Sequence, residues 1–166
     1  MNTNISVILQ DLKSMMDYYK YETTPPISKR FIESLKNTNI ETNVNPTLKI
    51  LANETNNLII NQPDYLTFLE IMDGFEYNGL RVFSLSIPEP LVKNLFLVNE
   101  FYRNNDDYIN PDLAERLVIG DDSTSLFTYD TKSCLFEIRD NIGTDNIFGT
   151  FKSFTELLNE TLDTVR

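Results

Sequence analysis

The chain has no histidine and no tryptophan, a single cysteine and only five glycines in 166 residues. Each scarcity removes a class of function. Without histidine there is neither the commonest general base nor the commonest metal ligand. That excludes Ser–His–Asp and Cys–His arrangements, and any Cys/His zinc site. One cysteine, Cys134, cannot build an intramolecular disulfide framework, and its setting Ser133-Cys134-Leu135-Phe136 reads as a packed thiol in or near a strand. Neither Gly-x-Gly-x-x-Gly nor a Gly-Lys-Ser/Thr phosphate loop occurs. No acidic stretch has the alternating oxygen ligands and central glycine of a calcium loop. No cofactor or metal is expected. No run approaches the roughly 18 consecutive apolar residues of a membrane span. The opening Met1-Asn2-Thr3-Asn4-Ile5-Ser6 has neither the basic nor the apolar region of a secretory signal, so the expected location is the cytoplasm.

Carboxylates are in surplus. The formal net charge is −11. The first 62 residues carry six basic and six acidic side chains, leaving eight basic and nineteen acidic ones for residues 63–166. All of the excess negative charge thus lies in the C-terminal two thirds. Such a field disfavours nucleic acid and anionic lipid and steers a basic partner. Solubility alone also accounts for acidity of this size.

Apolar residues at spacings of three and four predict a helix over 5–21, with Ile5, Ile8, Leu9, Leu12, Met15, Met16 and Tyr19 on its buried face. Pro25-Pro26 closes it. A short helix is expected over 28–37, a polar loop or hinge over 37–45, and a helical turn or two over 46–53. A further helix starts at Pro63-Asp64, buries Tyr65, Phe68, Leu69 and Met72, and stops at Asp73-Gly74. Asn78-Gly79 signals a tight turn before a strand over 80–85. A helix follows over 97–106. Strands are expected at 117–119, 126–129 and 135–138, joined by polar hairpin turns, and a last helix runs from about Ser153. Consecutive strands on short turns, with helices grouped around them, predict an α+β fold: a mostly antiparallel sheet wrapped by helices. The expected organisation is a helical N-terminal extension over 1–57 and an α+β domain over 58–166.

Three segments carry a resemblance. Pro63-Asp64-Tyr65-Leu66-Thr67-Phe68-Leu69 followed by Asp73-Gly74-Phe75-Glu76-Tyr77-Asn78-Gly79-Leu80 is similar to a segment of the SUKH superfamily, and within it to YrhA-like members. Leu117-Val118-Ile119-Gly120-Asp121-Asp122 with Phe127-Thr128-Tyr129-Asp130 resembles its strand–turn–strand pattern. Phe151-Lys152-Ser153-Phe154-Thr155-Glu156-Leu157-Leu158 resembles its closing helix. Asp73 stands where asparagine is usual, and the turn after Gly120 lacks an additional glycine. The resemblance spans about residues 60–165. It implies an antiparallel α+β fold in which Gly74, Phe75, Gly120, Asp121, Tyr129, Asp130 and Phe154 are fold determinants. It also implies the function of many bacterial members: immunity proteins that neutralise a polymorphic or contact-delivered toxin by direct binding.

The expected partner is therefore a basic toxin domain, such as a nuclease. The candidate contact patch is Glu76, Tyr77, Asp106, Asp107, Tyr108, Asp121 and Asp122, all at loops or element ends. A scaffold or regulatory module with an endogenous partner is the alternative. A carboxylate-based hydrolase is the remote one, because adjacent aspartates such as Asp121-Asp122 are far more often turn formers than catalysts.

Overall fold

Asn4 accepts a hydrogen bond from the Ser6 N–H at 2.9 Å and so caps α1 (Ile5–Tyr18), whose Ile5, Ile8, Leu9, Leu12 and Met16 are buried as the spacing predicts. The structure is a computed structural model and describes residues 4–36, 45–104 and 109–166. The helix ends three residues earlier than expected, and Tyr19, assigned from the sequence to its buried face, is 62% exposed. The cause is a reversal at Lys20, set out below.

The chain then runs extended along the motif helix: Ile27 N–H donates to Leu69 O at 2.8 Å, and Asp73 N–H to Pro25 O at 3.0 Å. After α2 (Lys29–Lys36), the expected polar loop lies outside the described residues except for Asn45. Asn45 caps α3 (Pro46–Asn61) by accepting from Thr47 N–H at 3.0 Å. This helix is far longer than the turn or two expected. Three side chains of its polar middle are held by specific partners. Thr55 donates to Leu51 O at 2.7 Å, Glu54 pairs with Arg103 at 2.6 Å, and Asn57 accepts from Tyr129 Oη at 3.2 Å.

Pro63 opens α4 (Pro63–Ile71), where a missing N–H is harmless. The helix ends at Ile71 with Met72 extended, and Gly74, two residues beyond that cap, takes φ +84 to turn into β1 (Phe75–Tyr77). Asn78 and Gly79, at φ +50 and +84, form the tight turn into β2 (Leu80–Val82). Next come α5 (Leu95–Arg103), the single turn α6 (Pro111–Ala114), and four strands: β3 (Leu117–Asp121), β4 (Ser125–Asp130), β5 (Leu135–Asp140) and β6 (Ile147–Phe151). Helix α7 (Phe154–Asp163) closes the chain, capped by Ser153, whose hydroxyl accepts from Glu156 N–H. Cys134 sits half-buried at the β4–β5 turn with φ +57.

Among the described residues the sheet is a six-stranded antiparallel meander in chain order, so the expected α+β class holds. Leu117, Tyr129, Phe136 and Phe151 stand opposite one another in register and form one face. Phe154 of α7 packs there against Phe136, with ring centres 6.0 Å apart, and against Tyr65 and Phe68 of α4 at 5.1 Å each. Helix α5 is pinned to the edge of β3 by Asn99, which donates to Val118 O at 2.7 Å and accepts from Val118 N–H at 2.8 Å. Arg116 and Arg139 converge on the buried Glu137 carboxylate at 2.8 and 2.9 Å. Burial of that charge is tolerated because both carboxylate oxygens are met. The expected division at residue 57 falls inside α3, and Ile8, Leu12 and Met16 share one apolar core with Leu58, Phe68 and Phe75.

Candidate protein-binding surface

Helix α1 ends in a motif normally completed by glycine. Tyr21 N–H reaches back to Met16 O at 2.8 Å and Lys20 N–H to Asp17 O at 3.2 Å, with Lys20 left-handed at φ +60. The reversal sets Tyr19 and Tyr21 against the ring of Tyr77, with Tyr18 against Tyr19. Tyr18 and Tyr19 meet edge to face at 4.8 Å, and Tyr19 and Tyr21 lie 6.4 and 5.0 Å from Tyr77. Tyr77 itself is buried, whereas Tyr18 and Tyr19 are mostly exposed and Tyr21 partly so. Tyr77, selected from the sequence as a contact, is thus the floor beneath the exposed rings. The signal that marks this surface in the sequence is Tyr18-Tyr19-Lys20-Tyr21, more rings in a row than one helical stripe can bury.

Strand alternation turns Glu76 away from its inward neighbours Phe75 and Tyr77. Glu76 stands opposite Arg81, which stands opposite Asp121, so three charges line up across β1, β2 and β3. Arg81 engages Asp121 at two points, Nε–Oδ1 at 2.6 Å and Nη2–Oδ2 at 2.8 Å. That bonding, reinforced by the charges of Asp121 and Glu76 and opposed by partial burial, raises the guanidinium pKa above its ordinary value. Tyr102 of α5 lies close enough that burial and the Asp121 charge raise its phenol pKa, with Arg81 opposing.

Asp122 serves its own turn: one carboxylate oxygen accepts from Thr124 N–H at 2.9 Å and Ser125 N–H at 2.8 Å. It borders a separate cleft of about 420 Å³ between the β3–β4 turn and α7. Asp106, Asp107 and Tyr108 lie outside the described residues. Of the sequence-selected patch, the structure therefore unites Glu76 and Asp121 around Arg81, places Tyr77 beneath the tyrosine row, and sets Asp122 at a turn.

Asp73, at the motif glycine, is buried and accepts from Leu85 N–H at 2.8 Å, from Ser86 N–H at 3.1 Å and from the Ser86 hydroxyl. A carboxylate offers two acceptors to these donors where an asparagine would offer one. Among the described residues no group of three or more Cys, Asp or Glu side chains is placed to hold a metal ion, and no helix is long and apolar enough to cross a membrane.

Beside the tyrosine row a cleft of about 240 Å³ opens between the segment after α1 and β1. Tyr21, Glu22, Glu76 and Leu91 are among its walls, and Glu22 and Glu76 are both exposed. Sequence reasoning passed over Tyr21, Glu22 and Leu91 as companions of Glu76, because the cleft joins segments more than fifty residues apart.

The chain is 60% identical over 124 residues to the uncharacterized protein YrhA of Escherichia coli strain K12, a match covering 75% of this chain and 90% of that protein. No family model matches, and no solved structure does.

Proposed function

The chain belongs to the YrhA family, and we propose that it is an immunity protein of the SUKH kind, which neutralises a cognate bacterial toxin in the cytoplasm by binding a basic toxin domain directly. The observation that carries the reading is the row of exposed tyrosines, Tyr18, Tyr19 and Tyr21, standing beside Glu22 and Glu76 on a chain of net charge −11. Tyrosine gives a protein interface large contact area at small entropic cost, and a surrounding negative field raises the rate at which a basic partner is met. A nuclease domain, whose substrate groove must be basic, fits that complementarity.

Binding rather than hydrolysis is favoured by what the acidic side chains already do. Asp121 holds Arg81, Asp122 holds its own turn and Asp73 holds the loop after β2. A carboxylate pair acting as acid and base needs two groups free to face one substrate, and the adjacent Asp121 and Asp122 are committed to Arg81 and to their own turn.

The test is to find whether a neighbouring gene encodes a toxin and to co-express the two. Survival is expected with the wild-type protein and is reduced for Tyr18→Ala/Tyr19→Ala, whose exposed positions leave folding intact. Undiminished lethality with the wild-type protein overturns the reading.

A further inference from the structure

We infer that the cleft walled by Tyr21, Glu22, Glu76 and Leu91 takes one cationic side chain, an arginine or lysine, from a polypeptide partner. The inference rests on the reading of the protein as a binder of basic proteins and names the point at which that charge is received.

Two carboxylates border a space of about 240 Å³. Neither Glu22 nor Glu76 is in an ion pair among the described residues. The cation nearest to Glu76 along the sheet is Arg81, but Arg81 directs both Nε and Nη2 at Asp121. Glu76, Arg81 and Asp121 thus sum to one negative charge, and Glu22 adds a second. Lys20 and Lys93 adjoin the cleft in sequence, yet neither lines it. An anionic ligand is repelled here, and an apolar one leaves the carboxylates desolvated without a partner.

The remaining walls suit the rest of a long basic side chain. Leu91, 59% exposed, supplies apolar surface of the kind that an arginine or lysine stem covers. Tyr21 supplies an aromatic ring, to which a guanidinium or ammonium is attracted. Its position is fixed from behind by Tyr77 at 5.0 Å. The backbone below is fixed too: the Thr24 hydroxyl donates to Gly74 O at 2.5 Å, tying this segment to the turn before β1. The neighbouring exposed Tyr18 and Tyr19 are what single out a polypeptide: they extend the same surface past the cleft, where the remainder of a protein would rest.

The probe is an acetylated, amidated Gly-Arg-Gly tripeptide titrated into the full-length protein, with its citrulline counterpart as the uncharged match, both followed by NMR. The arginine peptide is expected to shift the resonances of Tyr21, Glu22, Glu76 and Leu91 saturably, weakly and in a salt-dependent manner, and the citrulline peptide is expected not to. Glu22→Gln/Glu76→Gln is expected to weaken that binding about ten-fold, since it removes two charge-assisted contacts. Both glutamates are exposed, and unchanged spectra elsewhere show that the variant is folded. Equal response to citrulline, shifts scattered over the acidic surface, or full binding by the double variant overturns the inference. Saturable binding of free arginine or spermidine as tight as that of the tripeptide assigns the cleft to a small cation and overturns it as well. No toxin is present in this titration, so its failure is separate from a failure of co-expression to protect.

Discussion

Arg81 and Asp121 meet at two points across neighbouring strands, with Glu76 next in line on β1. The pair joins the short β1–β2 hairpin to the long strands of the meander, and it is only partly shielded from solvent. Its coupling in a double-mutant cycle is therefore expected to be modest, about 1 kcal/mol. The single variants are expected to differ. Asp121→Asn leaves Arg81 beside Glu76, whereas Arg81→Ala leaves Glu76 on β1 and Asp121 on β3 with no cation on the strand between them. Urea denaturation should show Arg81→Ala as the more destabilising of the two; equal costs would show that Glu76 does not sense Arg81.

Gly74 and Gly79 share the same φ of +84 but not the same surroundings. Among the described residues a Cβ at Gly79 meets nothing within 4 Å, whereas at Gly74 it would lie 2.7 Å from Ser84 N and 2.8 Å from Val82 O. Gly79→Ala should therefore cost only the left-handed backbone strain, about 1–2 kcal/mol. Gly74→Ala adds a clash with backbone that cannot rotate away, and about 4 kcal/mol or more is expected. Thermal melts of the two variants separate strain from crowding.

Tyr65 is fully buried on α4, and its hydroxyl has no hydrogen-bond partner among the described residues. Burial, with the Asp73 charge adding to it, raises its pKa far above that of a free phenol. A raised pKa in the folded state means that the neutral form is the one folding favours. The associated stability is present below about pH 10, where the unfolded phenol ionises, and is lost as pH rises beyond it. Tyr65→Phe should be neutral or slightly stabilising at pH 7, because it deletes an unpaired polar atom while keeping the ring. It should also flatten the alkaline limb of a stability–pH curve; an unchanged limb would assign alkaline sensitivity elsewhere.

The helices α1, α4 and α7 were legible because burial of one face leaves a period in the sequence, and the Asn78-Gly79 turn because few residues tolerate two positive φ angles in succession. The strands β3, β4 and β5 were placed within two residues of their observed ends. Strand β6 left no such trace: Ile147 and Phe148 are both exposed at the sheet edge, so no alternation marks it. Strand β1 is three residues long, too short for an alternation to mark it. The extent of α3 was hidden because the partners of Glu54 and Asn57 lie 49 and 72 residues away, and side-chain pairing at that distance has no local signature. The candidate surface was half visible for the same reason. Composition named Glu76, but its companions Tyr21, Glu22 and Leu91 reach it only through the fold.

Lys20 holds the tyrosine row in place at a conformational cost of its own. At the position after the α1 cap it is left-handed, a conformation glycine adopts freely and a side chain bearing Cβ does not. The backbone bonds from Tyr21 to Met16 and from Lys20 to Asp17 depend on that angle and not on the lysine side chain. Lys20→Gly should therefore keep the reversal and relieve the strain, raising stability by about 1 kcal/mol. For a chain of this length that is about 2–4 °C in Tm. Lys20→Val should act in the opposite direction, since a β-branched residue tolerates positive φ least. If the row of rings is what a partner contacts, Lys20→Gly binds as the wild type does, while Lys20→Val loses affinity along with the ordered packing of Tyr19 and Tyr21 on Tyr77, read as a change in near-ultraviolet circular dichroism. A Lys20→Gly variant that melts below the wild type would show that the lysine side chain, and not its backbone angle, secures the end of α1.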